Sequence, residues 1–317
     1  MRISSNLFFQ TGVNSINAQQ SDLVHLYKQV GSGKRMVTPS DDPLAAAKAI
    51  NVSQTLAMSE RYAANRAVAT RNLGMQENIL NSVTLQLQDV KTRLVEAGNG
   101  TISDIDRLAL AEVLETTREG LVNLANSTDG NGQYLFSGAA GGTEPFAYVA
   151  IDPTDPNSAK TWKYQGSDHE RLVQVDQTRQ MNSADTGLKI FSHDGTDDSN
   201  LFNVLDNVIA ALRQPHVDAD AADDFRTALD SAMVDVDKIY NNVLSVRSSG
   251  GTRMNELSAL DSSGSSRILD YKKQLSELED LDYYTAITQL QLRTTALEAA
   301  SAAFTKIQNT SLFNLNR

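Results

Sequence analysis

The chain contains no cysteine, which excludes disulfides and thiolate chemistry without by itself assigning a compartment. Aromatic residues make up only 6% of it. That scarcity suits helices packed through Leu, Val and Ala better than a large β-sandwich. No apolar run approaches the roughly 18 residues that a membrane-spanning helix requires. The opening Met1-Arg2-Ile3-Ser4-Ser5-Asn6-Leu7-Phe8-Phe9 has one basic residue and no continuous apolar core of about seven, so no secretory leader is expected. Positive charge is short as well. The net charge is −11, and the stretch from Asp152 to Asp237, with 16 Asp and one Glu against seven Lys and Arg, carries −10 of it. A chain without a basic footprint is a poor partner for nucleic acid. The first forty residues are mildly basic at +3, so the pattern implies a solvated, self-repelling centre and ends free to associate.

What is present is a pair of stripes, one at each end of a chain long enough, at 317 residues, for two or three domains. Phe9, Ile16, Leu23 and Val30 recur every seven residues near the N-terminus, and Tyr283, Leu290, Leu297 and Phe304 do so near the C-terminus. Residues seven apart complete two slightly underwound helical turns and face one partner, which makes each stripe a coiled-coil seam. Companion rows are read at Val13, Gln20 and Tyr27 and at Ile287, Thr294 and Ser301. Both seams are narrow, and an isolated helix of this length is marginal in water. The two ends are therefore expected to pack on each other or on copies of themselves.

Between the stripes, helix punctuation is plain. The first helix stops at Gly31-Ser32-Gly33, and Asp42-Pro43 supplies an N-cap with proline at the first helical position. A long helix then runs to about Ala97, with a core row at Leu80, Val83, Leu87, Val90, Leu94 and Ala97, closed by Gly98-Asn99-Gly100. Ser103 with Asp106 forms a capping-box pattern for the next helix, through Val113, Leu114, Leu121 and Leu124. Turn residues follow at Asp129-Gly130-Asn131-Gly132 and Gly138 to Gly142. Residues 161–165 and 171–175 read as strands linked by Gly166-Ser167-Asp168, and 152–157 as a surface loop. Helices resume near Asn200. Phe225, Leu229, Ala232, Val236, Ile239, Val243, Val246, Gly250, Arg253, Leu257 and Leu260 alternate steps of four and three, as an amphipathic core helix does. A final helix is expected to start after Gly264-Ser265 and to break at Glu279-Asp280-Leu281-Asp282 before the terminal seam. The fold class is mainly α with a small β-rich insert (α+β), an elongated, nested helical bundle with coiled-coil terminal helices. The expected regions are 1–42 with 281–317, 43–136 with 199–280, and the insert at 137–198.

Candidate chemistry is sparse. Val30-Gly31-Ser32-Gly33-Lys34-Arg35 lacks the upstream glycine, the trailing Ser or Thr and the preceding strand of a phosphate loop, so a helix-ending turn is the better reading. Asp129-Gly130-Asn131-Gly132 lacks the sixth-position glycine and twelfth-position acid of a calcium hand. His193-Asp194 with Asp197 and Asp198 matches no metal-ligand spacing. The four histidines (His25, His169, His193 and His216) are scattered, and no G-x-S-x-G elbow is present. Asp41-Asp42, directly before Pro43, reads as a cap sooner than an acid–base pair. No catalytic residue, cofactor or metal is expected.

Several of these segments together resemble bacterial flagellins and their relatives. Gly31-Ser32-Gly33-Lys34-Arg35-Met36-Val37-Thr38-Pro39-Ser40-Asp41-Asp42-Pro43 is similar to the N-terminal signature of that family. Val246-Arg247-Ser248-Ser249-Gly250-Gly251-Thr252-Arg253-Met254-Asn255 resembles the turn of its returning helix, and Leu290 through Phe313 its C-terminus. Residues 99–104 and 126–138 look most like the family's hook–filament junction subunits. The resemblance implies a structural subunit secreted unfolded through the flagellar export apparatus to an extracellular position between hook and filament. It implies polymerisation through Phe9, Ile16, Leu23, Val30, Tyr283, Leu290, Leu297 and Phe304, as the axial packing surface of a hollow polymer, unpaired before assembly. The implied partners are the neighbouring hook-associated protein, flagellin, copies of itself in a ring, and an export chaperone shielding Leu290, Leu297 and Phe304. No nucleic acid and no membrane is implied. A flagellin that builds the filament itself is the alternative. An insert acting as an enzyme or ligand-binding module is a third reading, for which the sequence offers no convergent residue set.

Overall fold

The structure is a computed structural model that describes residues 2–99, 102–152, 154, 158–215 and 219–313. Parts of three expected features lie outside the described residues: Gly100 of the helix-closing turn, His216, and residues 153 and 155–157 of the surface loop. The described elements are α1 (Arg2–Ser32), α2 (Pro43–Ala97), α3 (Asp104–Ala125), β1 (Phe146–Ala150), β2 (Lys160–Tyr164), β3 (Leu172–Asp176), β4 (Arg179–Asn182), α4 (Gly187–Phe191), α5 (Leu201–Arg213), α6 (Ala219–Glu279) and α7 (Tyr283–Phe313). This is the mainly α fold with a small β-rich part that the sequence implies. The chain divides into two compact units, residues 1–60 with 266–317 and residues 61–265, and α2 and α6 each contribute to both.

In the larger unit the three-four rows of α2 and α6 are the core. Leu80, Val83, Leu87, Val90, Leu94 and Ala97 are buried, as are Phe225, Leu229, Ala232, Val236, Ile239, Val243 and Val246. The two helices run antiparallel, since Lys91 pairs with Asp237, Gln88 bonds Tyr240, and Arg247 reaches back to Glu77 at 2.7 Å. The Ser103 hydroxyl accepts from the Asp106 amide at 3.2 Å while the Asp106 carboxylate accepts from the Ser103 amide, completing the capping box of α3. Asn200 caps α5 through the Asn203 amide at 2.9 Å. Two charged contacts, Arg118–Asp206 and Arg213–Glu115, set α5 antiparallel to α3.

One expected interruption is absent: Gly264-Ser265, read as a helix start, lies inside the uninterrupted α6, as does the 246–255 segment that the 225–260 row places on a helix despite its resemblance to the family's turn. Gly264 is there for space: a Cβ on it would lie 2.4 Å from the Arg66 guanidinium, which is itself buried. A glycine costs a helix interior only about 1 kcal/mol, less than the burial of a long apolar row contributes. The break at 279–282 does occur, between α6 and α7.

The expected strands are β2 and β3, but they do not pair with each other. β1 pairs antiparallel with β2, and β3 with β4. A two-stranded ribbon is marginal alone, so these lean on the helices. Asparagine side chains complete both free edges of the first ribbon. Asn126 accepts from the Phe146 amide at 3.0 Å and donates to its carbonyl at 2.8 Å; Asn203 does the same for Trp162 at 2.8 and 3.0 Å. Beneath it Phe136, Phe146, Phe191 and Phe202 form an aromatic cluster, mostly edge-to-face, with ring centroids 4.8–5.9 Å apart. The second ribbon lies over α2 and α6, with Val175 and Met181 packed among Ala69, Leu73 and Leu257. Arg66 donates to the Val175 carbonyl at 3.0 Å and to Asp261 at 3.1 Å.

One buried carboxylate ties this region together. Asp185, 1% exposed, accepts from Gln76 at 2.8 Å, from Lys189 at 2.9 Å and from Arg253. Burial pushes its pKa up, but the hydrogen bonds from Gln76, Lys189 and Arg253 outweigh it and hold the carboxyl below the usual range. A carboxylate so depressed adds stability above its unfolded pKa of about 4 and loses it as pH falls through the folded value. Asp185→Ala is therefore expected to cost roughly 3 kcal/mol in urea denaturation at neutral pH, as removing one partner of a buried ion pair does. The difference from the parent should shrink as pH falls below about 4, where the unfolded carboxyl protonates, and on through the lower folded pKa, where the folded parent carboxyl does too. A neutral-pH difference under about 0.5 kcal/mol, the range of ordinary surface substitutions, would contradict it.

Candidate functional site

The smaller unit brings the two heptad stripes together. α1 and α7 run antiparallel, because Phe9 stacks on Phe304 (ring centroids 5.0 Å apart), Asp22 pairs with Arg293, and Gly33 meets Tyr283. Ile16, Leu23, Val30, Leu290, Leu297 and Phe304 are half-buried in this seam, while Phe9 and Tyr283, at opposite ends of it, remain 46% and 50% exposed. The expectation that the stripes stay unpaired before assembly is thus corrected: within one chain, each covers part of the other. Neither buries enough apolar surface alone, so pairing is favourable even though it is incomplete.

The companion rows are also corrected. The closest contacts lie three residues after the stripe rather than four, at Gly12 and Leu26 on α1, at Gly33 just beyond its end, and at Ala286 and Ala300 on α7, although Val13 and Thr294 of the expected rows are half-buried as well. Leu26 and Ala286 are the buried pair, whereas Tyr27 and Ile287 are 55% and 51% exposed. Small residues decide the choice. A Cβ on Gly12 would come within 2.9 Å of the Phe304 ring, and one on Gly33 within 2.9 Å of the Tyr283 hydroxyl. Gly33 also ends α1 with φ of +70°, the left-handed conformation a helix C-terminus favours. Glycine and alanine spaced three after the stripe were the sequence signal for this face. Beside it Leu7, Val24, Tyr284 and Leu292 stay exposed.

A clasp locks the ends of the seam where α1 passes to α2 and α6 to α7. The Arg35 amide donates to the Glu279 carbonyl at 2.7 Å and the Leu281 amide to the Gly33 carbonyl at 3.0 Å. Lys34 pairs with Glu279 at 2.8 Å, and the Arg35 guanidinium donates to the Leu278 carbonyl at 3.1 Å. The hydrogen bond to Glu279 raises the Lys34 pKa. Asp41 accepts from the amides of Val37 and Thr38 at 2.8 and 2.9 Å and from the Thr38 hydroxyl; the Thr38 amide leads the effects that lower its pKa. Asp42 caps α2 through the Ala45 amide at 3.0 Å, and Asp282 caps α7 through Tyr284 at 3.0 Å. The Gly31–Pro43 signature is thus a junction between helices: Lys34 is engaged by a carboxylate and both aspartates hold backbone. Asp129 likewise closes its own turn through the amides of Asn131 and Gln133. Among the described residues no group of three His, Cys, Asp or Glu is placed to hold a metal, at His193–Asp198 or elsewhere.

Residues 3–140 match the bacterial flagellin N-terminal helical region. The chain is 38% identical to flagellar hook-associated protein 3 of Escherichia coli K12 over 328 residues, and 39% identical to its namesake in Salmonella typhimurium LT2 over 331, covering each pair of chains fully. A putative flagellar hook-associated protein from Vibrio parahaemolyticus superposes with a TM-score of 0.63 at 25% identity, over 76% of this chain and all of that one. Phase 1 flagellin of Salmonella naestved matches only in part, at 26% over 135 residues, 43% of this chain and 27% of that one.

Gly12→Leu should drive the Phe304 ring out of the seam at a cost of about 1–3 kcal/mol, the usual penalty of overpacking. Hydrogen exchange reads this directly: amides of residues 286–304 are expected to lose protection while those of α3 and α5 keep theirs. Unchanged protection across α7 would contradict the pairing.

Proposed function

The chain belongs to the flagellar hook-associated protein 3 family, and on that premise we propose that it is a structural subunit joining hook to filament in the bacterial flagellum. It polymerises through residues 1–42 and 281–317. Residues 43–136 with 199–280 supply the supporting bundle, and 137–198 the β-rich insert. The observation that carries the reading is the incomplete seam of α1 and α7, which leaves Phe9 and Tyr283 half exposed at its two ends. Along the same two helices Leu7, Val24, Tyr27, Tyr284, Ile287 and Leu292 are also exposed, and apolar surface gathered in this way favours an interaction site. A neighbouring subunit completes the burial that two helices cannot.

In this reading Phe9, Ile16, Leu23, Val30, Tyr283, Leu290, Leu297 and Phe304 form the assembly surface. The partners are the neighbouring hook-associated protein on the hook side, flagellin on the filament side, and copies of this chain in a ring, all outside the cell. An export chaperone takes the place of α1 against Leu290, Leu297 and Phe304, because those three face α1 in the paired seam. Full-length identity to hook-associated relatives favours the junction over a filament-forming role, for which the match covers less than half the chain.

Deleting residues 283–317 should leave the 61–265 unit folded by circular dichroism and abolish attachment of filaments to hooks in cells lacking the parent gene. Normal attachment with that deletion would overturn the proposal. Immunogold labelling should place the full chain in a band at the hook tip; label along the filament would instead support a flagellin.

A further inference from the structure

An asparagine followed by glycine is a chemically labile pair. The glycine nitrogen can close a five-membered ring on the asparagine side-chain carbon, and with no Cβ on the glycine nothing hinders its approach. The chain has two such pairs, Asn99-Gly100 and Asn131-Gly132, and two aspartate counterparts, Asp129-Gly130 and Asp194-Gly195. Gly100 lies outside the described residues. The structure separates the other three. Both aspartates are held by donors: Asp129 accepts from the amides of Asn131 and Gln133 at 2.8 and 3.0 Å, and Asp194 from the amide and hydroxyl of Thr196 at 2.9 and 2.8 Å. A carboxylate so engaged is a poor electrophile. Asn131 differs. It is exposed in the turn bridged by Thr128 and Tyr134, its backbone amide is engaged, and its side-chain amide makes no hydrogen bond among the described residues. Asn126 is the contrast, because its side chain is fixed on both backbone groups of Phe146. Gly132 has a φ of +77° and open space around it, so water reaches the pair. Its amide donates to the Asp129 carbonyl at 3.0 Å, and a bond of this kind in an exposed turn opens locally at little cost.

We propose that Asn131-Gly132 is a site of spontaneous deamidation, with water as the only co-reactant. The Gly132 nitrogen bonds to Asn131 Cγ as the Cγ–Nδ2 bond breaks, and the proton lost by the Gly132 amide leaves with Nδ2 as ammonia. Water then opens the succinimide ring. Addition at Cγ restores the backbone with aspartate in place of Asn131. Addition at the backbone carbonyl gives isoaspartate, and the chain then runs through the former side chain, one methylene longer. Either product sets a new carboxylate beside Asp129. The longer backbone also disturbs what the turn holds. The Leu135 amide donates to the Ser127 carbonyl at 3.0 Å and the Tyr134 amide to the Gly141 carbonyl at 2.8 Å. Gln133 accepts from Arg171 at 3.1 Å, which ties the turn to the segment entering β3. The change is one-way and needs no enzyme, so this turn records the age of the chain. It is independent of the assembly role proposed above.

The test ages the folded full chain in warm, mildly alkaline buffer and follows it by peptide mass spectrometry, with fragmentation to place the modified residue. Asn131 should gain the mass of an amide-to-acid change, as separate aspartate and isoaspartate products, about tenfold or more faster than Asn126, equal to ~1.4 kcal/mol of barrier. The reaction should slow in mildly acidic buffer, because the glycine nitrogen attacks once it has lost its proton. Asn131→Gln, whose ring would need six members, should stay unmodified at that position. Hydrogen exchange should show lost protection at the Tyr134 and Leu135 amides in the aged parent and retained protection in aged Asn131→Gln. A urea-unfolded sample serves as the control for the chemistry. Asn131 left intact in the folded chain while it converts in urea overturns the inference, since the Gly132–Asp129 bond would then protect the pair. Conversion of Asn126 as fast as Asn131 overturns it too.

Discussion

The structure depends on one requirement: the apolar row of a helix from the N-terminal half has to be covered by a helix from the C-terminal half running back along it. In the larger unit this holds fully. Leu80 through Ala97 on α2 and Phe225 through Val246 on α6 are removed from water, with α3, α5 and the ribbons closing the remaining sides. In the smaller unit it holds in part. α1 and α7 have only each other, and glycine at 12 and 33 with alanine at 286 and 300 lets them approach closely without widening the covered strip. The same rule yields a finished core in one unit and an unfinished surface in the other.

Polar side chains do the second task, which is to hold short β-ribbons that could not stand alone. Asn126 and Asn203 act as stand-in strands on the two edges of the β1–β2 ribbon, which also hides edges that would otherwise recruit another chain. Asn242 donates to the Ile190 and Ser192 carbonyls where α4 ends. Arg66, Arg253 and Gln76 reach from the long helices to the carbonyls and carboxylate around β3 and β4. The insert is therefore built into the core of the helices that flank it, sharing Phe136, Phe146 and Phe191 with them.

This division explains what could be read from the sequence. Helices, caps and the α2 and α6 rows were legible because they depend on spacing and on local residues such as Ser103 and Asp42. The strand partners were not. The β3–β4 turn at Gln177-Thr178 lacks the glycine or asparagine that marks a hairpin, and β1 is held by Asn126, twenty residues earlier. Gly264 misled for a related reason, since a glycine that makes room for Arg66 looks the same in sequence as one that ends a helix. In the α1–α7 seam the stripe itself was legible and its companion row was not. A heptad allows a companion three or four residues on, and only the packing of Phe304 over Gly12 selects three.

Function follows from the unfinished unit. A chain whose termini pair with each other, but whose seam still exposes Phe9, Tyr27, Tyr283 and Ile287, is suited to being completed by neighbours. Its clasp of Lys34, Arg35 and Glu279 holds the two helices ready in register. The absence of cysteine makes the central claim directly measurable, because a single engineered pair reports without background. Phe9→Cys with Phe304→Cys in one chain, oxidised in dilute solution and run on a non-reducing gel, should close rapidly into an intramolecular disulfide that migrates as a compact monomer. Failure to close, or closure only between chains, would contradict the pairing of α1 with α7 on which the account rests.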